Sequence, residues 1–205
     1  DPDASGTVSA GGAVSVTASD DSSIDAIAVA AAASISGSTS ATSVAVSIGL
    51  ALAHNTIDKD LSASIVNMPS VLTGGGDVIV SASDAAAIEV TSFAAAVSVA
   101  VGAGTSVGVA GGASESTNII LSRTNAYIEN STIGGADDSA SGGEDKRVGK
   151  VDLDAESTSE IDATIGAVAA SLAFGNTGVG VAVRAAVARN FIGWDPYGAI
   201  VTGPV

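Results

Sequence analysis

The stretch SVAVSIGLALAHNTI, Ser43 to Ile57, decides the fold. No formal charge falls between Asp25 and Asp58, and similar gaps run from Glu89 to Glu115 and from Asp162 to Arg184. By length alone each gap would accommodate a transmembrane helix. Gly104–Gly108, GTSVG, even has helix-pairing spacing. Each run is nevertheless broken near its middle by turn formers, SGSTSATS, GAGTS and GNTG, and its flanks lack a Lys/Arg bias or aromatic belt. Six aromatics in 205 residues are too few for the girdles of a membrane barrel. The stretch also alternates small and branched residues, as a strand does, so no membrane span is expected.

The same template returns twice. SVAVSIGLALAHNTIDKDLSASIVN (43–67) aligns with SVGVAGGASESTNIILSRTNAYIEN (106–130) and with GVGVAVRAAVARNFIGWDPYGAIVT (178–202). Asn55, Asn118 and Asn190 coincide, as do Ile57, Ile120 and Ile192, and Ala63 and Ala126 (with Ala199 one residue out of step). Upstream, Val14, Val78 and Val151 head three further matching segments, with Ile24, Ile88 and Ile161 ten residues on. Internal similarity at a fixed period marks a stacked repeat. The organisation read from it is a lead-in at 1–10, repeat 1 at 11–75, repeat 2 at 76–148 and a truncated repeat 3 at 149–205. The surplus length of the second repeat falls in an acidic Gly/Ser-rich loop at 134–149.

Each repeat divides into four segments, in the first copy VSVTASD, IDAIAVAAAASI, SVAVSIGLALAHNTI and LSASIVN. The middle two are expected to form a hairpin about the Ser/Gly/Thr turn. They carry apolar groups on both faces, which implies sheets covered on both sides. The outer two alternate apolar residues with Ser, Thr and Asp, as half-exposed strands do. The expected fold is all-β: a β-solenoid or layered β-sheet array of about three 63–73-residue repeats.

Composition agrees. The chain is 46% hydrophobic but 3% aromatic, with 25 glycines and an excess of Ala, Ser and Val. Thin, uniform layers suit such small side chains, whereas an irregular globular core does not. The net charge of −15 repels phosphate backbones, which argues against nucleic acid. The absence of cysteine excludes disulfides and thiolate metal sites. The ends, DPDASG and GAIVTGPV, carry no signal or lipidation motif and read as those of a processed form or of a piece of a longer chain.

The pattern GDVxVxAxxxSxI…SVAVxxxxAxNxI…AxI, with ARNFIGWDPYG at 188–198, resembles the strand-repeat regions of giant bacterial surface proteins, the filamentous-haemagglutinin-like adhesins and leukotoxin-type exoproteins. The resemblance covers essentially the whole chain and implies a secreted or cell-surface β-rich array used for adhesion, extension or filament building. It implies no catalytic residues. Partners would then be further copies of the chain in a homo-oligomer or filament, or adjacent repeats of a longer chain.

Candidate sites are few. His54, with Asp58 and Asp60 nearby, could be cast as a general base. Its slot holds Thr117 and Arg189 in the other repeats, and no nucleophile elbow, zincin or phosphate-loop motif is present. A solvent-facing or satisfied strand-end histidine is the preferred reading, and the chain is not expected to be an enzyme. A polysaccharide lyase on a β-helix would need a basic, aromatic groove that the sequence lacks.

The recurring asparagines either form an amide ladder between stacked strands or mark a strand end or bulge. Asp20 matches Asp84, and Asp25, Glu89 and Asp162 each follow the matching isoleucine. Stacking would bring these carboxylates to about 5 Å, which requires solvent or a cation between them. Asp152, Asp154 and Glu156 share a strand face, and Asp137, Asp138, Glu144 and Asp145 cluster in the loop. These are candidate calcium ligands, although a solvated acidic surface accounts for them and no calcium-loop motif is present, so no cofactor is required. Phe191, Trp194 and Tyr197 concentrate half of the aromatics. They cap a layer or contact a partner such as a glycan. The function expected is a structural element of a surface fibre. The alternative is an adhesive module reading glycans or a host surface through its loops.

Overall fold

The computed structural model describes residues 6–39, 41–134 and 148–194. These residues are all-β. In chain order the strands are β1 (Thr7–Ser9), β2 (Val14–Ser38), β3 (Ser43–Val66), β4 (Ser70–Leu72), β5 (Val78–Gly102), β6 (Thr105–Glu129), β7 (Val151–Phe174) and β8 (Thr177–Gly193). Among the described residues there is no helix long and apolar enough to cross a membrane.

The strands form three parallel sheets, β2-β5-β7, β3-β6-β8 and the two-stranded β1-β4. Each coil of the array contributes one long strand to each large sheet. The register follows the sequence template: Val14 pairs with Val78 and Val78 with Val151, while Ile24, Ile88 and Ile161 fall in one column. Asn55, Asn118 and Asn190 form another. The spacing is 63 residues between the first two asparagines and 72 between the last two. The surplus nine lies between Ile133, bridged to Val71, and Val151, within or beside the loop at 134–149.

Two expectations are corrected. The four segments of each repeat are two strands of up to 25 residues, because Asp21–Ser23 and Asp58–Asp60, which separate the segments of the first copy, stay in the ladder at regular register positions. Nor do the middle segments form a hairpin. β2 and β3 belong to different sheets, so the turn between them is an arch that carries the chain from one sheet to the one facing it. Backbone pairing runs to the neighbouring coil in parallel register, and the arch partners meet through side chains instead.

The space between the large sheets is wedge-shaped. At the wide end β4, through Val71, and Ile133 close a third side over Val78, Val80, Ala63 and Ile65. Next come Ile57, Ile88, Val90 and Ile120 in a second apolar cluster. Toward the arch the inward positions shrink to Ala, Ser and Gly, among them Ala45, Ala51, Ala94, Ala96, Ser92, Ser98 and Ser106, all buried. A Cβ on Gly49 would lie 2.4 Å from the Ala95 carbonyl oxygen, and one on Gly112 2.6 Å from that of Val168. Glycine is therefore what lets the two sheets touch. The absence of bulky residues is a condition of this closure rather than a deficit of core.

The long-strand corners use asparagine. Asn67 and Asn130, which follow β3 and β6, have φ of 56° and 46°. Asparagine tolerates the left-handed region because its short side chain bonds locally. Here Asn130 Nδ2 donates to Asn67 Oδ1 at 2.6 Å, coupling one corner to the next.

Candidate functional site

Three features of the stack bear on function: its internal polar columns, its two open edges and its outer faces.

In the first column Asn55 Nδ2 donates to Asn118 Oδ1 at 2.8 Å, and Asn118 Nδ2 donates to Asn190 Oδ1 at 2.9 Å. Ser116 also donates to Asn118 Oδ1, at 3.1 Å. Asn118 is fully buried and Asn55 nearly so, while Asn190 lies exposed on the edge strand, so the inner amides satisfy one another where water is excluded. The asparagines sit inside continuous strands and neither end nor bulge them.

The second column answers the question posed by Asp20 and Asp84. Both point inward, and the cation between them is Lys59, an inward residue of β3. Its Nζ lies 2.5 Å from Asp20 Oδ1 and 2.5 Å from Asp84 Oδ1. Ser122 and Ser157 donate to Asp84 Oδ2, the latter at 3.1 Å, and Ser22 donates to Asp20 at 2.6 Å. Hydrogen bonding to Lys59 holds the Asp20 carboxyl below its ordinary range. Burial works to raise Asp84, but the bonds from Lys59 and Ser122 outweigh it and the net shift is downward. Burial likewise works to lower Lys59, and its bonds to Asp20 and Asp84 prevail, so its pKa is raised. Lys59 has Ser122 and not a second cation as its register partner, which is why the repeat alignment passes over it.

The remaining candidates do not converge. His54 lies exposed on the outer face of β3, in a column with Thr117 and Arg189. Asp58 and Asp60 share that face, and Asp60 pairs with Arg123. Asp25, Glu89 and Asp162 are register partners on the outer face of the other sheet, open to solvent. Asp152 pairs with Lys150 at 2.6 Å, and Asp154 is exposed. No three acidic or histidine side chains among the described residues are placed to hold a metal ion. Asp137, Asp138, Glu144, Asp145, Tyr197 and Ala199 lie outside the described residues. Trp194 and Phe191 are both partly exposed.

Both ends of the stack are open among the described residues. β2 and β3 form one edge, and β7 and β8 the other. At the β8 edge Arg184 takes the register position held by Gly49 and Gly112 in the coils before it. An inward-pointing charge on an edge strand blunts strand addition.

The outer faces depart from expectation. Apolar groups on both sides of the arch-proximal segments implied sheets covered on both sides. Yet Ile27, Ile35 and Ile48 are 75%, 83% and 72% exposed, and Val44, Val46, Leu50 and Leu52 are more than half exposed. Small, partly polar residues fill the interior there while large aliphatics face out.

Comparison of the chain with protein-family models, curated proteins and solved structures finds no match.

Proposed function

We propose that the chain is a structural building block of an extracellular bacterial surface fibre or giant adhesin, extended by strand stacking at its open edges. The observation that supports this reading best is the polarity of the asparagine ladder. Every amide donates from the β3 side toward the β8 side. A further coil on β8 would accept from Asn190 Nδ2, and one on β3 would donate to Asn55 Oδ1. The template positions Val14 to Val151 and Ile24 to Ile161 match in the same way, so a second copy or the next repeat of a longer chain continues these columns. The resemblance to strand-repeat regions of surface adhesins points the same way.

Negative-stain microscopy with light scattering tests the reading. Elongation along the stacking axis is expected, and Arg184→Gly, which restores the glycine of the other coils, is expected to increase it. A compact monomer for both proteins at all concentrations would overturn it. Capture of a glycan by a non-elongating chain would instead favour an adhesive module.

A further inference from the structure

The arch half of the molecule is inside-out. Between its sheets lie Ser43, Ser47, Ser92, Ser98, Ser106 and Ser114, all buried. On the outside of β3-β6-β8 the columns read Val44–Val107–Val179, Val46–Val109–Val181 and Ile48–Gly111–Val183. Val44, Val46, Ile48, Leu50 and Leu52 of β3 and Val179, Val181 and Val183 of β8 are exposed in one contiguous aliphatic patch, and a patch of this kind is commonly an interaction site.

We infer that this face pairs with the same face of a second copy, arch halves overlapping and return halves pointing in opposite directions. Lipid is the competing cover, and the open edges argue against it. Among the described residues β3 and β8 both run through the apolar band with one side of the backbone unpaired, and each unsatisfied group in hydrocarbon costs several kcal/mol. Another sheet face covers side chains and leaves the edges in water.

Charge selects the arrangement. The chain carries a net −15, yet no charged residue lies between Asp25 and Asp58 or between Glu89 and Glu115. On the β3-β6-β8 face the charges lie toward the return end, at Asp58, Asp60, Arg123 and Glu129, with the Glu115–Arg189 pair at the border. Overlap in the same direction would set one acidic return half on another. Overlap in opposite directions places the acidic halves at the two ends of the pair.

The size is also set. Three strands about 4.8 Å apart and nine residues at about 3.3 Å make a flat area of roughly 400 Å² on each partner. That is about half of what each side brings to a standard interface, so the pairing is weak and concentration-dependent. It does not depend on edge stacking, and the two give different shapes. A strand of 25 residues is about 80 Å long, so an overlapped pair is about 130 Å long. Two edge-stacked copies stay about 80 Å long and thicken by only about 14 Å.

Size-resolved small-angle scattering on the full chain separates these outcomes. A species of two-chain mass and about 130 Å maximum dimension is expected, its share rising with concentration and with salt as repulsion is screened. Val109→Lys with Val181→Lys should weaken pairing at least tenfold. If lysines lower the melting temperature, Val109→Thr with Val181→Thr, which keep branched shape, repeat the measurement. The inference is overturned by the absence of the 130 Å species at every concentration, or by pairing unchanged in the folded variants. Flotation of the chain with phosphatidylcholine vesicles would overturn it too, and assign the face to lipid.

Discussion

The arch half and the return half of each coil share strands, register and backbone pairing, and they are stabilised in opposite ways. In the return half Val, Ile and Ala fill the wide end of the wedge, Lys59 bridges two inward carboxylates, and the outer faces are mostly polar. In the arch half the sheets approach until glycine is required, serines line the interior, and the aliphatics face out. Burial of large side chains holds the first together. Close packing of small ones against the facing backbone holds the second. A shared parallel ladder therefore does not dictate where the apolar surface lies.

Substitutions can break each half separately. Lys59→Met should cost most, about 3 kcal/mol or more, because it leaves the fully buried Asp84 without its cation. Urea unfolding gives that loss directly, and a value near zero would mean that the carboxylates are neutral in the fold. Gly112→Ala tests the arch half. Its Cβ must displace the Val168 carbonyl, at an expected cost of about 2 kcal/mol, whereas alanine at an open glycine such as Gly37 should be tolerated. Asn118→Ala removes the middle of the ladder at the boundary and should cost about 1.5 kcal/mol, mainly from the buried Asn55 amide left without its acceptor.

The pH dependence should belong to the return half. Asp20 and Asp84 are lowered, so their contribution is present above the ordinary carboxylate range and is lost as pH falls through it and below. Lys59 is raised, so its contribution is complete below the ordinary lysine value and is lost as pH climbs through the raised one. Thermal melts should be flat between these limits, and Lys59→Met should remove the alkaline loss. The smallest effect is expected on the outer face. Val109→Thr should change monomer stability by less than about 0.5 kcal/mol while altering association.

Much of this was legible in the sequence. Repeat spacing located the columns, and the matched asparagines anticipated a ladder because identical residues at one period must stack if the strands do. The corner asparagines 67 and 130 carried the same 63-residue signal, and only their position at a segment end identifies them as left-handed turns. Lys59 was not legible: it belongs to one coil only, and its partners come from two strands of the opposite sheet. The arch was misread as a hairpin because a short polar turn between apolar runs looks the same whether the strands pair by backbone or face each other across a core.

The amino-acid sequence by itself determined the all-β class, the period and the in-register stacking of successive repeats, because period-2 patterning and internal similarity are read directly along the chain. Only the tertiary structure decided which face of each strand points inward. In the arch half both faces are apolar or small, so alternation alone carries no direction. The contact of Gly49 and Gly112 with the opposite backbone selects the small face for the interior and leaves the aliphatic face outside.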